Sequence, residues 1–331
     1  MEYIRKTLDF QLKETTAVTL GKFDGLHRGH ELLMQTVLNC SKNDHVASVA
    51  FTFDIPPRSK VEEIIANVLT TNEEKQYIFE QQGIDYLIEC PFTNEVMSME
   101  PKAFIAWISR SLNMKYVVVG DDFRFGYKRA GDYHTLQQYE KEFGYKTIVL
   151  DKLKDSNRDI SSTYVREKIA DGNIKKANQL LGYKYFIKSE IVHGKKLGRK
   201  IGIPTINMIL PADKLLPPNG VYVTEVLVDG KTYMGVTNVG CKPTVSDENI
   251  VGVETYIADF DKDVYGQKIV VSFIDYIRPE QKFESVEELQ GQMMSDIIVA
   301  RLLFTQQQNT CMLQGNVTEI LHDYVDIVKE N

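Results

Sequence analysis

The sequence predicts an α/β domain built on a parallel sheet, followed by a small antiparallel β-barrel with a C-terminal helix. Three observations predict it. Short apolar runs alternate with amphipathic stretches as far as residue 150. From about residue 184, runs with period-two alternation succeed one another with no helix between them. The 331 residues also suffice for two domains of ordinary size, each with its own core.

In the first half the apolar runs are 17–20 (AVTL), 46–53 (VASVAFTF), 84–89 (IDYLIE), 116–120 (YVVVG) and 146–150 (KTIVL). Helical patterns at 29–40, 72–82, 101–113 and 134–143 lie between them. Strands that are apolar throughout are covered on both faces, as in a parallel sheet flanked by helices. Thr71 followed by Glu74 makes a capping box, and Gly83 suits the position just past that helix. The segment 161–181 reads as two short helices joining the halves, so the domains are drawn at 1–183 and 184–331.

In the second half YFIKSEIVHG, PTINMIL, VYVTEVLVDGKTYMGVTNVG, GVETYIADF and KIVVSFIDYIR read as strands. Asp229-Gly230 between two of them signals a tight hairpin. SVEELQGQMMSDIIVARLLF then supplies one helix, apolar at Met293, Ile297, Ile298 and Leu302, expected to close an open end of the barrel. Beyond it NVTEILHDYVDIV keeps helical spacing without a role that the residues reveal.

Apolar residues make up 43% and charged ones 26%, a globular composition. The net charge of −7 argues against wholesale nucleic-acid binding, so a phosphate-bearing substrate must be held by a local site. Cys40, Cys90, Cys241 and Cys311 are scattered with no C-x-x-C pair, against a structural zinc site or a disulfide framework. No apolar run approaches the ~20 residues that span a bilayer. The charged start MEYIRKTLDFQLKE is no secretory core. A soluble cytoplasmic protein is expected, with no nucleic-acid or membrane partner and with self-association left open.

The first candidate site is VTLGKFDGLHRGH at 18–30. Ligands of parallel α/β sheets bind beyond the carboxyl ends of the strands, where this segment leads. Gly21 and Gly25 allow a sharp turn and close approach to a ligand, and Gly29 lets the following helix lie against the sheet. His27 and His30, three apart in the first helical turn, face one side. The free N–H groups and dipole at a helix mouth favour an anion. Two imidazoles beside it can donate to phosphate oxygens as charge moves onto a leaving group. The competing reading, half of a metal site, lacks a third His or Cys nearby in sequence.

GKFDGLHRGH resembles the G-x-F-D-G-x-H-x-G-H signature of nucleotidyl transferases that adenylylate small molecules. VVVGDDFRFGYKRAGD (117–132) and ISSTYVREKI (160–169) are similar to blocks of the bacterial bifunctional riboflavin kinase / FAD synthetase family, and the resemblance runs across nearly the whole chain. It implies that Gly21, Phe23, Asp24, His27, Gly29 and His30, with Gly25 in the same turn, hold ATP and stabilise the transition state. It also implies that Ser161, Ser162, Thr163 and Arg166 grip its phosphates; hydroxyls at a helix start plus a guanidinium one turn on form an anion cup. Phe123 and Phe125 of GDDFRFG would stack on or wall off an isoalloxazine ring, with core packing as the plain alternative. Asp121 and Asp122 would cap a turn. The family's second strand usually ends in a Pro-His-Pro element; here Ile55-Pro56-Pro57 stands there, without the histidine.

The second candidate site is HGKKLGRKIGIPTIN at 193–207. No P-loop pattern occurs. Gly194, Gly198 and Gly202 make a flexible basic flap with Lys195, Lys196, Arg199 and Lys200, fit to wrap ATP phosphates or simply to be solvated. The segment resembles the G-x-P-T-A-N motif of riboflavin kinases, with Ile206 in place of alanine. The resemblance implies that Thr205 and Asn207 coordinate Mg²⁺ together with nucleotide phosphates. Two apart on a strand, they point to one side, and Mg²⁺ suits few hard protein ligands. VGVETYIADFDKDVYG resembles the family's V-E-x-x-x-x-D-F-x-x-x-L-Y-G block and gives Glu254 the place of the catalytic carboxylate. A glutamate facing into a barrel would otherwise be an expensive buried charge. Asp259 and Asp261 would shape the adjacent turn.

The expected activity is therefore phosphorylation of riboflavin to FMN with ATP and Mg²⁺, then AMP transfer from a second ATP to FMN, giving FAD and pyrophosphate. The alternatives are a chain retaining one of the two activities, a flavin-binding regulator without turnover, and a different nucleotidyl transferase, which would leave 184–290 without a job.

Overall fold

The computed structural model describes residues 1–54, 67–194, 198, 201–242 and 250–329, the side chains at 241–242, 250–251 and 308–329 excepted. Two compact units result. The first comprises Met1–Glu167, Gln179–Gly182 and Pro211–Leu215; the second comprises Lys168–Asn178, Tyr183–Leu210 and Leu216–Asn331.

Up to residue 150 the chain runs β1 (Glu2–Arg5), β2 (Thr16–Leu20), α1 (Arg28–Asp44), β3 (Ala47–Asp54), α2 (Asn72–Gln81), β4 (Tyr86–Pro91), α3 (Asn94–Met97), α4 (Pro101–Ser111), β5 (Met114–Gly120), β6 (Arg124–Phe125), β7 (Gly131–Asp132), α5 (Tyr133–Gln138), α6 (Glu140–Phe143) and β8 (Lys146–Leu150). β1-β4-β3-β2-β5-β8 form one parallel sheet, so the order reverses between β2 and β5. The Rossmann-like α/β expectation holds. Alternate residues of the central strands face opposite layers, which is why the strands are apolar throughout. Val18, Leu20, Val117 and Val119 pack with Phe104, Ile105 and Ile108 of α4, whereas Ala17 and Val118 pack with Val37 of α1. The capping box at Thr71 and Glu74 is present, and Gly83 takes φ +78°. β1 was not expected: EYIR is short, charged at both ends and half exposed, as an edge strand can be.

Two small strands, β9 (Lys154–Asp155) and β10 (Arg158–Asp159), lead to α7 (Ser162–Ala170) and α8 (Ile174–Leu181), the expected pair of short helices. The second unit then contains β11 (Phe186–Val192), β12 (Thr205–Met208), β13 (Gly220–Val228), β14 (Lys231–Lys242), β15 (Ile250–Ile257), β16 (Lys268–Arg278) and the long α9 (Val286–Lys329). β11-β12-β15-β14-β13-β16 close into an antiparallel barrel. Asp229 and Gly230, at φ +49° and +74°, make the two-residue turn between β13 and β14.

α9 does not close an end of the barrel. Ile297 and Ala300 pack with Val223, Met234, Val236, Tyr256 and Ile274, an outward-facing row of the barrel wall. Thr224, Thr237 and Thr255, on the alternate positions, are fully buried and hydrogen-bonded in a chain at 2.8 and 2.9 Å, filling the interior. The buried stripe of α9 therefore runs through Leu289, Met293, Ile297, Ala300 and Phe304. Ile298 and Leu302, expected on the apolar face, are 60% and 62% exposed.

Candidate active sites

In the first unit the segment after β2 and the segment after β5 flank the reversal in strand order, the place where open α/β sheets hold ligands. Gly25 takes φ +82°, and a Cβ there would come within 2.7 Å of Leu69. The resulting turn delivers His27 to the N-cap of α1 and His30 to its third residue. The two rings stack, centroids 3.9 Å apart and planes 22° apart. Gly29 makes this possible, since a Cβ there would meet the His27 ring at 3.2 Å. Below them Phe23 is wholly buried, edge-on to His30 at 5.4 Å and to Phe79 at 5.3 Å. Among the described residues, Nδ1 of each histidine is buried without a hydrogen-bond partner.

Burial sets the charge of this pair. It pushes His27 down to about 4, against the opposing field of Asp122. It pushes His30 well below its ordinary value, helped by His27 and Lys75. Both rings are therefore neutral at pH 7 without ligand, each with one N–H to offer. Lys75, which the sequence reading did not single out, is 6% exposed on α2. Burial lowers its pKa, and the carboxylates of Glu89, Asp24 and Asp54 oppose that fall. On α2 the NEEKQYIFEQ pattern makes such a lysine look like solvated surface.

Asp24 holds the turn rather than facing it outward. Its Oδ1 accepts from the amides of Leu69 at 2.8 Å and Thr70 at 3.2 Å, its Oδ2 pairs with Arg166, and its carbonyl accepts from Ser162 Oγ at 2.7 Å. Ser161 caps α7 through Tyr164 N, and Thr163 is exposed. The hydroxyls and guanidinium read as an anion cup are thus partly committed to the Phe23–Gly25 turn. Gly21 sits over the Phe23 ring. After β5, Phe123 and Phe125 stack at 5.5 Å, but Phe125 is a core residue tilted on Phe104, which leaves Phe123 as the half-buried ring. Asp122 pairs with Lys152 at 3.0 Å, and Asp121 Oδ1 is buried without a partner among the described residues. Ile55-Pro56-Pro57 lies outside the described residues.

In the second unit β12, β15, β14 and β13 bring one row into register: Asn207 opposite Glu254, Glu254 opposite Asn238, Asn238 opposite Val221. Thr205, Tyr256, Val236 and Val223 form the next row on the same face. That face is the outer wall beneath α9, so Glu254 does not point into the barrel. It lines a cavity of about 270 Å³ with Gly198, Thr205, Asn238, Arg278, Met293 and Asp296 among its walls. Arg278 and Asp296 form a two-bonded ion pair at 2.9 and 2.7 Å, with Asp296 4% exposed. The pair was invisible in the sequence, where its members lie 18 apart.

The flap glycines lie directly on the proposed ligands. A Cβ at Gly194 would overlap the Asn207 carboxamide, and one at Gly198 would overlap the Ile203 carbonyl and come within 3.3 Å of Thr205 Oγ1. Lys196 and Arg199, with Lys195 and Lys200, lie outside the described residues. Thr205 and Asn207 offer neutral hard oxygens beside one carboxylate, a donor set that suits Mg²⁺ carried mainly by phosphates. Among the described residues no group of three or more His, Cys, Asp or Glu forms a metal cluster, and no helix is long and apolar enough to cross a membrane. Asp259, at φ +55°, sits in the turn after β15 and meets Arg301 at 3.2 Å.

Comparison with known proteins divides the chain in the same order. Residues 9–164 match the family model for FAD synthetase and residues 181–304 that for riboflavin kinase. The bifunctional riboflavin kinase/FMN adenylyltransferase of Listeria monocytogenes is 32% identical, over 88% of this chain and 93% of its own. Its counterpart in Escherichia coli K12 is 35% identical, over 88% and 94%. A crystal structure of a macrolide-efflux protein from Streptococcus pneumoniae superposes with a TM-score of 0.80 at 31% identity, covering 90% of this chain and 98% of that one.

Proposed function

The chain belongs to the bifunctional riboflavin kinase/FMN adenylyltransferase family, and from that premise we propose how its residues divide two reactions. It is a transferase with both activities: riboflavin is phosphorylated to FMN, and FMN is adenylylated to FAD, with ATP as co-substrate. Residues 1–183 carry adenylyl transfer and residues 184–331 carry the kinase reaction. A need for ATP at both steps supports a cytoplasmic location.

In the kinase reaction the ribityl 5′-oxygen attacks the γ-phosphorus, the bond to the β–γ bridging oxygen breaks, and ADP leaves. Glu254 orients that hydroxyl and takes its proton. The observation that carries this reading is the register that sets Glu254 between Asn207 and Asn238, with Glu254, Asn238 and Thr205 on the wall of one cavity. Thr205 and Asn207 would hold Mg²⁺, which when bound screens the phosphate charge. Gly194 and Gly198, packed onto Asn207 and onto Ile203 and Thr205, would bring the flap backbone beside the nucleotide, and Lys196 and Arg199 are assigned to the same nucleotide by the motif alone.

In adenylyl transfer an FMN phosphate oxygen attacks the α-phosphorus of ATP, the bond to the α–β bridging oxygen breaks, and pyrophosphate leaves. The nucleophile carries no proton at neutral pH, so no base is needed. His27 and His30 donate N–H bonds to phosphate oxygens whose charge grows in the transition state. The turn Gly21–Gly25 and the first turn of α1, with Gly29, accept the nucleotide. Ser161, Ser162, Thr163 and Arg166 border it, and Phe123, backed by Phe125, walls the flavin. Incubation of the protein with riboflavin, ATP and Mg²⁺, followed by chromatography, gives FMN first and FAD later. FMN that never proceeds to FAD would limit the enzyme to its kinase half.

A further inference from the structure

Pro211–Leu215 belongs to the first unit although in sequence it lies between β12 and β13 of the barrel. It pairs with the residues just before α2. Val68 N donates to Asp213 O at 2.6 Å, and Leu215 N donates to Val68 O at 2.9 Å. Lys214 is the centre of this contact. Its side chain and that of Glu74 are each 1% exposed, and they form an ion pair at 2.6 Å. Lys214 Nζ also donates to Leu69 O at 2.7 Å. An ammonium taken out of water is retained only where its protons are all used, so an anchored backbone carbonyl is a specific restraint.

The restraint leads to the histidine site through a short chain of bonds. The amides of Leu69 and Thr70 hold Asp24 Oδ1, and Thr70 Oγ1 accepts from Gly25 N at 3.1 Å. Leu69 packs against Gly25 where a Cβ would not fit. Gly25 is two residues before His27. Asp24 carries Arg166 on its other oxygen, and Arg166 Nε returns to Asn67 O at 3.2 Å. The 67–71 segment is therefore a brace between Lys214 and the turn that mounts the stacked imidazoles.

We propose that Lys214 is a positioning residue for adenylyl transfer, acting through the Leu69 carbonyl and the 67–71 brace to fix the Asp24-Gly25 turn. The inference rests on the assignment of adenylyl transfer to His27 and His30. Its test separates the carbonyl anchor from the ion pair. Glu74→Gln keeps the capping box, which accepts either residue, and keeps a Lys214 amine on Leu69 O. Glu74→Gln with Lys214→Met removes the anchor without leaving a buried unpaired charge.

Adenylylation of added FMN is measured with ATP varied, and riboflavin phosphorylation is measured on the same preparations as a control for folding. Glu74→Gln is expected to stay within about twofold of the parent, whereas the double variant raises KM for ATP in adenylylation about tenfold, as loss of a placement does. Its kinase reaction is expected to be unchanged. Equal adenylylation by the two variants, or a parallel loss of the kinase reaction, overturns the inference. His30→Ala is run beside them and is expected to lose adenylylation. If it kept that activity, the reading of the histidine site would fall, and the role of Lys214 with it.

Discussion

At the scale of single residues, burial holds both stacked imidazoles of the first site below their ordinary pKa. The depressed pKa of His27, about 4 against 6.5 unfolded, also ties stability to pH. Below pH 6.5 the unfolded chain binds the extra proton and the folded one does not. The contribution is thus complete above pH 6.5 and is lost as pH falls toward 4, by about 3 kcal/mol for this ring. The single tryptophan, Trp107, packs against Phe51 and Phe104 in the first unit, so its fluorescence follows that unit. Urea midpoints read from it should fall between pH 7 and 4.5, and His27→Gln should flatten the fall. An unchanged slope in the variant would mean that His27 is not held neutral. That Thr205 and Asn207 share one face was legible from strand spacing, whereas the placing of that face and of Glu254 on the outer wall was not, since alternation alone does not say which side is the interior. Arg166 was legible as a cation but not as the partner of Asp24, since the pairing spans 142 residues. Lys75 and Lys214 were not legible at all. A lysine announces exposure, and only tertiary burial reverses that.

At the scale of elements, periodicity and punctuation told most of the story. The capping box at Thr71, the Asp229-Gly230 turn and the apolar central strands each follow from local physics, and each is present. The errors fall where the partner surface decides. α9 carries apolar residues at neighbouring positions 297 and 298, about 100° apart on a helix, so either could head the buried stripe. The outer wall of β13, β14 and β16 selects Ile297. Ile297→Ala is accordingly expected to cost about 2–4 kcal/mol, whereas Ile298→Ser and Leu302→Ser should change stability by no more than about 0.5 kcal/mol. Thermal unfolding of the three variants by near-ultraviolet circular dichroism checks this. A larger loss at 298 or 302 would place α9 on the barrel by a different face.

At the scale of the whole molecule, the FAD synthetase match at 9–164 and the riboflavin kinase match at 181–304 follow the two folds in order, and the proposal gives each its own phosphate chemistry: neutral donors at a helix mouth in the first, a carboxylate with hard oxygens in the second. The order of the two folds could be read from the change of period near residue 184. The return of Pro211–Leu215 to the first unit could not, because nothing in a five-residue loop declares a partner about 145 positions back. The central claim is that catalysis is divided between His27/His30 and Glu254, and complementation tests it most directly. With riboflavin, ATP and Mg²⁺, Glu254→Gln alone should leave riboflavin unchanged yet still adenylylate added FMN. His30→Ala alone should stop at FMN. The two variants mixed should make FAD from riboflavin. A folded single variant that loses both steps, or a mixture that yields no FAD, would contradict the division.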